Sequence, residues 1–367
     1  MTEFRQENQF DFSSGEYGDI FAASNASAFQ SPIWLASFYD HLSPHRGAEK
    51  LVITLRNGED GGADGDESGG EDGGESGGEL LAVVPLIRRR KSGLVLIEST
   101  DLGVSDYAGP VFSEAAWTAL KANPALQQQF INAIGPHDII RIQPALPEQA
   151  QDWKALLAEE PEAAGFSAHA VELSPPFEEW RASNLDRKLS GMMARKGRRW
   201  KKQHQVVLER LSDDKSIDAA IKNLARLRQG RFEGDPIQSV EVAKFYAQVA
   251  RQGAANGLAE TWLLTSDDSI AGILFGLTHA GRFYYLLIGA DYDNHGRHSP
   301  GLQMYDWIIE DWMARGGTSF DFTIGDEPFK MQFGTTAQPM SRFLRANSLK
   351  GRLAMALFGN RLRRTNG

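Results

Sequence analysis

One order of elements occurs twice along this chain, and it constrains the fold more than any single motif. In the first half, Leu51–Leu55 (LVITL), Leu80–Ile87 (LLAVVPLI) and Leu94–Glu98 (LVLIE) are short β-branched and aliphatic runs, the last two separated by a Lys91-Ser92-Gly93 turn. They read as three successive antiparallel strands. A loop, a helical stretch near Pro124–Ile134, Gly135 and a strand over Asp138–Ile142 follow. In the second half, Thr261–Thr265, Ile270–Thr278 and Phe283–Ala290 are separated by SDDS and HAGR turns and form another three-stranded meander. A loop, a helix from Gly301 to Arg315, Gly316-Gly317 and a strand over Ser319–Thr323 complete the same order. In that helix Leu302, Tyr305, Ile309 and Trp312 recur at spacings of three and four, which is the apolar stripe of an amphipathic helix. Ile217, Ile221, Leu224 and Leu227 mark one helix ahead of the second meander, and Val242, Phe245, Tyr246 and Val249 mark another. The expectation is an α+β protein of two tandem modules, each a mixed, mainly antiparallel sheet flanked by helices. Residues 1–165 form the first module and 166–367 the second, with a ligand crevice between them.

Between the first two strands stands an insertion over 58–79, GEDGGADGDESGGEDGGESGGE, with nine acids and no base. The net charge of the 367-residue chain is −9, so the rest is electrically balanced. A segment this poor in apolar residues cannot offset its backbone entropy and is expected to be disordered. Its G-x-G patterns are compositional, and it lacks EF-hand spacing. Cysteine is absent, which removes disulfides, thiolate metal ligands and a cysteine nucleophile together. His295 and His298 have no third ligand nearby in sequence, so no metal is expected. The start carries no basic, apolar leader, and the longest apolar runs fall well short of the ~20 residues of a membrane span. A soluble cytoplasmic protein is expected.

The loop from Ala290 to Leu302, ADYDNHGRHSPGL, joins the last meander strand to the strong helix. Ser299 suits the N-cap and Pro300 the first helical position. Gly301 permits close approach to backbone amides. With Arg297 nearby, the amides around Gly301 and Leu302 make an anion site suited to a pyrophosphate.

Meander, phosphate-type loop, helix and strand is also the order of the GNAT acetyltransferase fold, which this chain resembles. More closely it is similar to the CelD/BcsL-type acetyltransferase-like family, a tandem-GNAT group related to the Fem-type aminoacyltransferases. The patterns that carry the likeness are Gln30-Ser31-Pro32-Ile33-Trp34-Leu35, Pro85-Leu86, Ser105-Asp106-Tyr107, Arg198-Arg199, Arg228 through Arg231, Ser299-Pro300-Gly301, and Phe320-Asp321-Phe322 followed by Gly325-Asp326-Glu327 and Lys330. Arg297 stands one residue further from Gly301 than in the general GNAT motif, and Gln303 replaces its second small residue. The resemblance implies an acyltransferase that uses acetyl-CoA or another acyl-CoA and acts on an amine, amino sugar or nucleotide sugar. It also implies an association with cellulose or other exopolysaccharide synthesis.

Such chemistry is direct attack of an amine on a thioester, which requires an oxyanion donor, a base and a proton for the thiolate. A backbone N–H at the end of Phe283–Ala290, with Gly289 permitting a bulge, is the expected donor. Asp321, Asp326 and Glu327 are the candidate bases, although the last two also suit the start of the short helix that follows. Phe329 stands where the resembling family often has a tyrosine, which leaves water or Tyr292 to protonate the thiolate. Lys330 either holds a phosphate or carboxylate or pairs with Asp326. Asp106 and Tyr107 are expected to face the crevice as substrate contacts, with Arg231 assigned to substrate binding as well. Two alternatives keep the fold: aminoacyl transfer from tRNA, and a silent binding module of a polysaccharide synthesis system. Eight basic residues between Arg187 and Lys202 suit either a solvated helix or an anionic partner, though the overall negative charge argues against general nucleic-acid binding. The tail over Leu349–Arg364 mixes leucines with arginines, as a weak membrane-surface helix would, or packs on the domain.

Overall fold

The computed structural model describes residues 2–58 and 78–363, and within them both meanders are present. The expected disorder of the acidic run lies outside the described residues. The first module opens with β1 (Thr2–Gln6), α1 (Gly15–Ala23) and α2 (Pro32–Ser37), followed by the meander β2 (Ala48–Asn57), β3 (Glu79–Lys91) and β4 (Leu94–Ser99). Then come β5 (Val111–Phe112), α3 (Glu114–Ala122), α4 (Ala125–Ile134), β6 (Ile139–Ala145), α5 (Pro147–Leu157) and β7 (Glu162–Glu172). The expected division at 165/166 falls inside β7. After α6 (Phe177–Asn184) and the basic α7 (Arg187–Gln203), the order repeats with β8 (Val206–Leu211), α8 (Asp214–Arg228) and α9 (Val240–Asn256). The second meander is β9 (Ala259–Ser266), β10 (Ser269–His279) and β11 (Arg282–Ala290). It leads through α10 (Tyr292–His295) to α11 (Pro300–Ala314), β12 (Ser319–Ile324), α12 (Pro328–Gln332), β13 (Thr336–Ala346) and α13 (Leu349–Leu362).

The strands make one mixed, mostly antiparallel sheet in the order β1-β2-β3-β4-β6-β13-β7-β12-β11-β10-β9-β8, with β5 paired to β3. At its centre the modules exchange their last strands. β13 pairs with β6 of the first module, β7 pairs with β12 of the second, and β7 and β13 pair with each other. Neither half therefore closes its own sheet. Helices cover both faces. On one, α1, α2, α8 and α9 share a single core that includes Tyr17, Trp34, Leu224, Phe245 and Tyr284. On the other, Phe130 and Trp153 belong to a core of the first module, while Met193, Trp200, Ile308 and Phe320 belong to one of the second. Such burial of apolar area is the main favourable term in folding. Here it spans the module boundary on one face and stays separate on the other.

Candidate active site

The site begins where two parallel strands part. β11 and β12 are in register only over Arg282↔Ser319, Phe283↔Phe320 and Tyr284↔Asp321. Beyond that point β11 continues beside β10, while β12 turns to β7 and pairs Ile324 with Ala168. Thr323, with a φ of 55°, bridges the closed end of the split by donating its hydroxyl to the Tyr285 carbonyl at 3.0 Å. Further out along β11, Arg228 donates to the Ile288 carbonyl at 2.9 Å and is held bidentately by Asp235 at 2.8 and 3.2 Å. The first module has the same geometry between β4 and β6, with the Ser99 hydroxyl on the Gln143 carbonyl at 2.7 Å. There, however, Glu98 is paired with Arg89 and Arg141, and the space left is only about 10 Å³.

A bulge lies on β11, but not at Gly289. Gly276 faces Tyr285 and Phe275 faces Leu287, so Leu286 is the extra residue. Leu286 and Leu287 accordingly turn to the same core, as a bulge requires. Gly289 serves packing instead: a Cβ there would sit 2.9 Å from Leu227 Cβ and 3.1 Å from the Leu224 carbonyl.

The start of α11 also differs from expectation. Ser299 precedes the helix in a left-handed conformation (φ 57°, ψ 58°), and its side chain caps nothing. Its hydroxyl accepts from Lys196 Nζ of α7 at 2.8 Å, which ties the corner to the basic helix. Pro300, Gly301 and Leu302 occupy the first turn, where N–H groups precede the helical ladder. Gly301 is buried beneath Tyr292, and a Cβ on it would lie 2.6 Å from the Tyr292 hydroxyl. Tyr292 itself is about half exposed, and the Arg231 guanidinium stacks on its outer face at 4.8 Å. Arg297 donates to His298 Nε2 at 2.9 Å and lies 3.3 Å from His204. Burial and the neighbouring Arg297 push His298 down to about 4, so it stays a neutral acceptor, stacked on Trp200 at 4.9 Å. Lys196, Arg231 and Arg297 thus place cations around one helix start, with Arg199 close enough to act on His298, where the dipole already favours an anion.

The remaining candidates gather at the module boundary. Asp321 is 1% exposed and does not face solvent. Its carboxylate accepts from the Tyr107 hydroxyl at 2.8 and 3.0 Å and from the Thr323 amide at 2.8 Å, with Arg282 3.6 Å away. Burial raises its pKa, against the pull of Arg282, Thr323 and Tyr107. Tyr107 is fully buried against Phe29 and Tyr284, so it fills the expected crevice instead of lining an open one. Asp106 remains partly exposed beside Thr323 and Lys330. Burial, with Asp101 and Asp321 adding repulsion, pushes it up to about 7. Lys330 pairs with Glu327 at 2.9 Å, not with Asp326, and gives a further bond to the Ile324 carbonyl at 2.7 Å. A buried ammonium requires such acceptors. Asp326 accepts from His169 of β7 at 2.9 Å, a bond that lowers its pKa, and neither Asp326 nor Glu327 caps α12. Phe329 stacks on Tyr305 at 5.4 Å.

The split therefore brings together Asp106, Thr323 and Lys330, and the helix start gathers Tyr292, Arg231, Ser299, Gly301 and Arg297. Asp326 and Glu327 stay on the outer rim. The sequence marks Lys196 only as one of the eight basic residues that suit an anionic partner, without tying it to the loop before α11. Thr323, His169 and Arg282 carry no local signal of a role.

Residues 187–331 match a family model described as an acetyltransferase (GNAT) domain. No curated protein matches the chain. Among solved structures, FemX shares 14% identity with a TM-score of 0.61, over 96% of this chain and 98% of its own. L-PGS from Bacillus licheniformis shares 10% identity with a TM-score of 0.56, over 96% and 97%. A conserved protein from Bacteroides thetaiotaomicron shares 11% with a TM-score of 0.51, over 95% and 100%. At these identities the structures speak for the fold. Together with the domain match they support the GNAT superfamily and a transferase. Among the described residues no His/Asp/Glu group could hold a metal ion, and no helix is long and apolar enough to cross a membrane.

Proposed function

We propose that the second module transfers an acyl group from acyl-CoA to an amine, and that the first module supplies part of its acceptor site. The observation that carries this is the parting of β11 and β12 beside a helix start ringed by cations. The residues fit a diphosphate-bearing thioester. The first-turn amides of α11, Lys196, Arg199 and Arg297 hold the diphosphate, and the side-chain-free Gly301 lets it approach. Tyr292 has to swing off Gly301 for this, which its exposed ring allows. The acyl carbonyl enters the split, where backbone freed as β11 and β12 part donates to the charge that develops on oxygen, and the Lys330 ammonium, held by Glu327 and the Ile324 carbonyl, adds its field without a direct bond.

In this reading Asp106, rather than Asp321, takes the proton from the acceptor ammonium, because a carboxyl near 7 is matched to that task and Asp321 is already fully occupied. The amine nitrogen bonds to the thioester carbon, the C–S bond breaks as the tetrahedral intermediate collapses, Tyr292 protonates the departing thiolate, and the second proton that the nitrogen sheds on becoming an amide restores the phenol. Burial raises that phenol's pKa, so it holds its proton at neutral pH. The acceptor remains a class, an amine or amino sugar. The CelD/BcsL resemblance extends the proposal to an exopolysaccharide system in the cytoplasm.

A second reading rests on α7. Arg195, Arg198, Arg199 and Lys202 are exposed along the helix that anchors Ser299, a surface able to take a nucleic-acid acceptor end, and FemX shares the fold. A thiol-release assay with acetyl-CoA and an amine panel tests the first reading. Turnover that falls about a hundredfold in Asp106→Asn supports it. Turnover with undiminished Asp106→Asn removes the base, and protection of Arg195–Lys202 by aminoacyl-tRNA without thiol release favours the second.

A further inference from the structure

The last helix is apolar on two sides, and the protein covers only one of them. On the inner side, Ala354, Met355 and Leu362 pack with Leu94, Leu96 and Ile139 of the first module and with Leu344 of β13. The seat is specific. The Ser348 hydroxyl donates to Asp138 at 2.5 Å and accepts from the Gly351 amide at 3.0 Å, and Arg363 pairs with Glu162 at 2.8 Å. Gly351 lies so close to the Asp138 carbonyl that a Cβ would collide with it. α13 is therefore docked in a fixed orientation, which fixes what it shows outward.

Outward it shows Leu349, Leu353 and Leu357, exposed by 81%, 62% and 65%, while Phe358, 57% exposed, lies about 100° round the helix from Leu357. Only nine large apolar side chains among the described residues are exposed, and four of them fall on this one helix. Leu349, Leu353 and Leu357 follow one another at i, i+4 and i+8, a single row along the axis. At about 100° per residue, Lys350 and Arg361 flank the row on one side and Arg352 on the other. The helix contains no Asp or Glu. The β3–β4 hairpin, whose Leu94 packs beneath α13, adds exposed Arg90 and Lys91 at its tip. Among the described residues, acids bonded to α13 or its seat are engaged: Asp138 with Ser348, Glu162 with Arg363, and Glu159 with Arg345 at 3.8 Å. A chain of net charge −9 thus presents one local row of leucines that, within the helix itself, is flanked by cations and by no acid.

We infer that α13 lies in the surface of an anionic phospholipid bilayer, its leucine row among the acyl chains and Lys350, Arg352, Arg361, Arg90 and Lys91 on the phosphates. Fourteen residues are too few to span, so the helix rests in the plane of the interface. Cations on both flanks of the apolar row match headgroup phosphates, and basic residues beside an interface add attraction that salt screens. The inference stands apart from the acyl-transfer reading, since it uses none of the same residues.

Sedimentation of the full chain with vesicles containing about a third phosphatidylglycerol in phosphatidylcholine tests it. Wild type is expected to pellet with these vesicles, and weakly with phosphatidylcholine alone. Leu353→Glu/Leu357→Glu should lower the partition coefficient by about tenfold or more. Both substitutions are on the exposed face, so circular dichroism and melting temperature should not change. Should that variant misfold, Lys350→Ala/Arg361→Ala and a salt series on wild type test the electrostatic part, each reducing the bound fraction. Failure of wild type to pellet overturns the inference, as does a double-glutamate variant that binds like wild type. A wild-type dimer in analytical ultracentrifugation that the same variant renders monomeric also overturns it, since a second copy would then cover the row.

Discussion

Removing the hydroxyl of Tyr107 isolates the bond that joins the two modules at their centre. Tyr107→Phe keeps the ring against Phe29 and Tyr284 but takes the O–H from a carboxylate it approaches at 2.8 and 3.0 Å. Both groups are buried, so no water replaces the lost donor. A hydrogen bond to a charged group contributes about 1.5–3 kcal/mol, and roughly 2 kcal/mol is expected for this substitution. Asp321→Ala strands more: the Tyr107 hydroxyl, the Thr323 amide and the Arg282 guanidinium. Breaking a buried charge pair costs about 3–5 kcal/mol, but Arg282 is about one-third exposed and partly recovers water, so about 3 kcal/mol is expected. Because the two substitutions remove the same bond, a double-mutant cycle should give a coupling of about 2 kcal/mol. Urea unfolding followed by tryptophan fluorescence reads all three values. The exchange of β7 and β13 leaves neither module with a sheet of its own, so one transition is expected. A loss below about 0.5 kcal/mol in Tyr107→Phe, with additive effects in the double variant, refutes the claim that Asp321 pins the modules.

Asp106 titrates high in the folded protein, so between its unfolded pKa near 3.8 and about 7 the native state holds more protons and this residue's contribution falls as pH rises. Asp106→Asn should therefore gain stability relative to wild type from pH 4 to pH 7.5, and a difference independent of pH contradicts the assignment. Gly289→Val should cost about 1–3 kcal/mol by forcing a branched side chain against Leu224 and Leu227, whereas a bulge role would tolerate it. Ser299→Gly should stabilise by about 0.5–1 kcal/mol less the bond to Lys196, because the serine is left-handed and caps nothing. A loss of a few tenths of a kcal/mol that persists when Lys196 is already truncated, the usual cost of replacing a serine cap by glycine, would restore the capping role.

Much of the fold was legible because its signals are local. The two meanders are contiguous β-branched runs between turns, and α11 follows from a three-and-four apolar spacing, displaced by only one residue from where the sequence placed it. The exchanged strands were not legible. β7 and β13 are polar, irregular segments whose partners lie about 150 residues or more away, and pairing at that range leaves no periodic mark. The site divides in the same way. The Ser-Pro-Gly corner was visible as a motif, yet its serine turned to α7 because Lys196 lies opposite. Asp321, a candidate base by its place on the last strand of the repeat, joins a face that is occupied by Tyr107 of the other module. Gly289 suggested a bulge by composition, while the register places the extra residue at Leu286.

Acyl transfer from acyl-CoA requires that the helix start beneath Tyr292 receive a diphosphate. Calorimetric titration of coenzyme A into wild type and Gly301→Glu measures this directly. The new Cβ would press on the movable Tyr292 hydroxyl at 2.6 Å and touch Ile288 at an ordinary 3.6 Å, and the side chain would place a carboxylate beside the first-turn amides. Saturable binding to wild type below about 1 mM, weakened at least tenfold in Gly301→Glu, is the expected result. No heat of binding to wild type, or equal affinity in both proteins, would contradict the account.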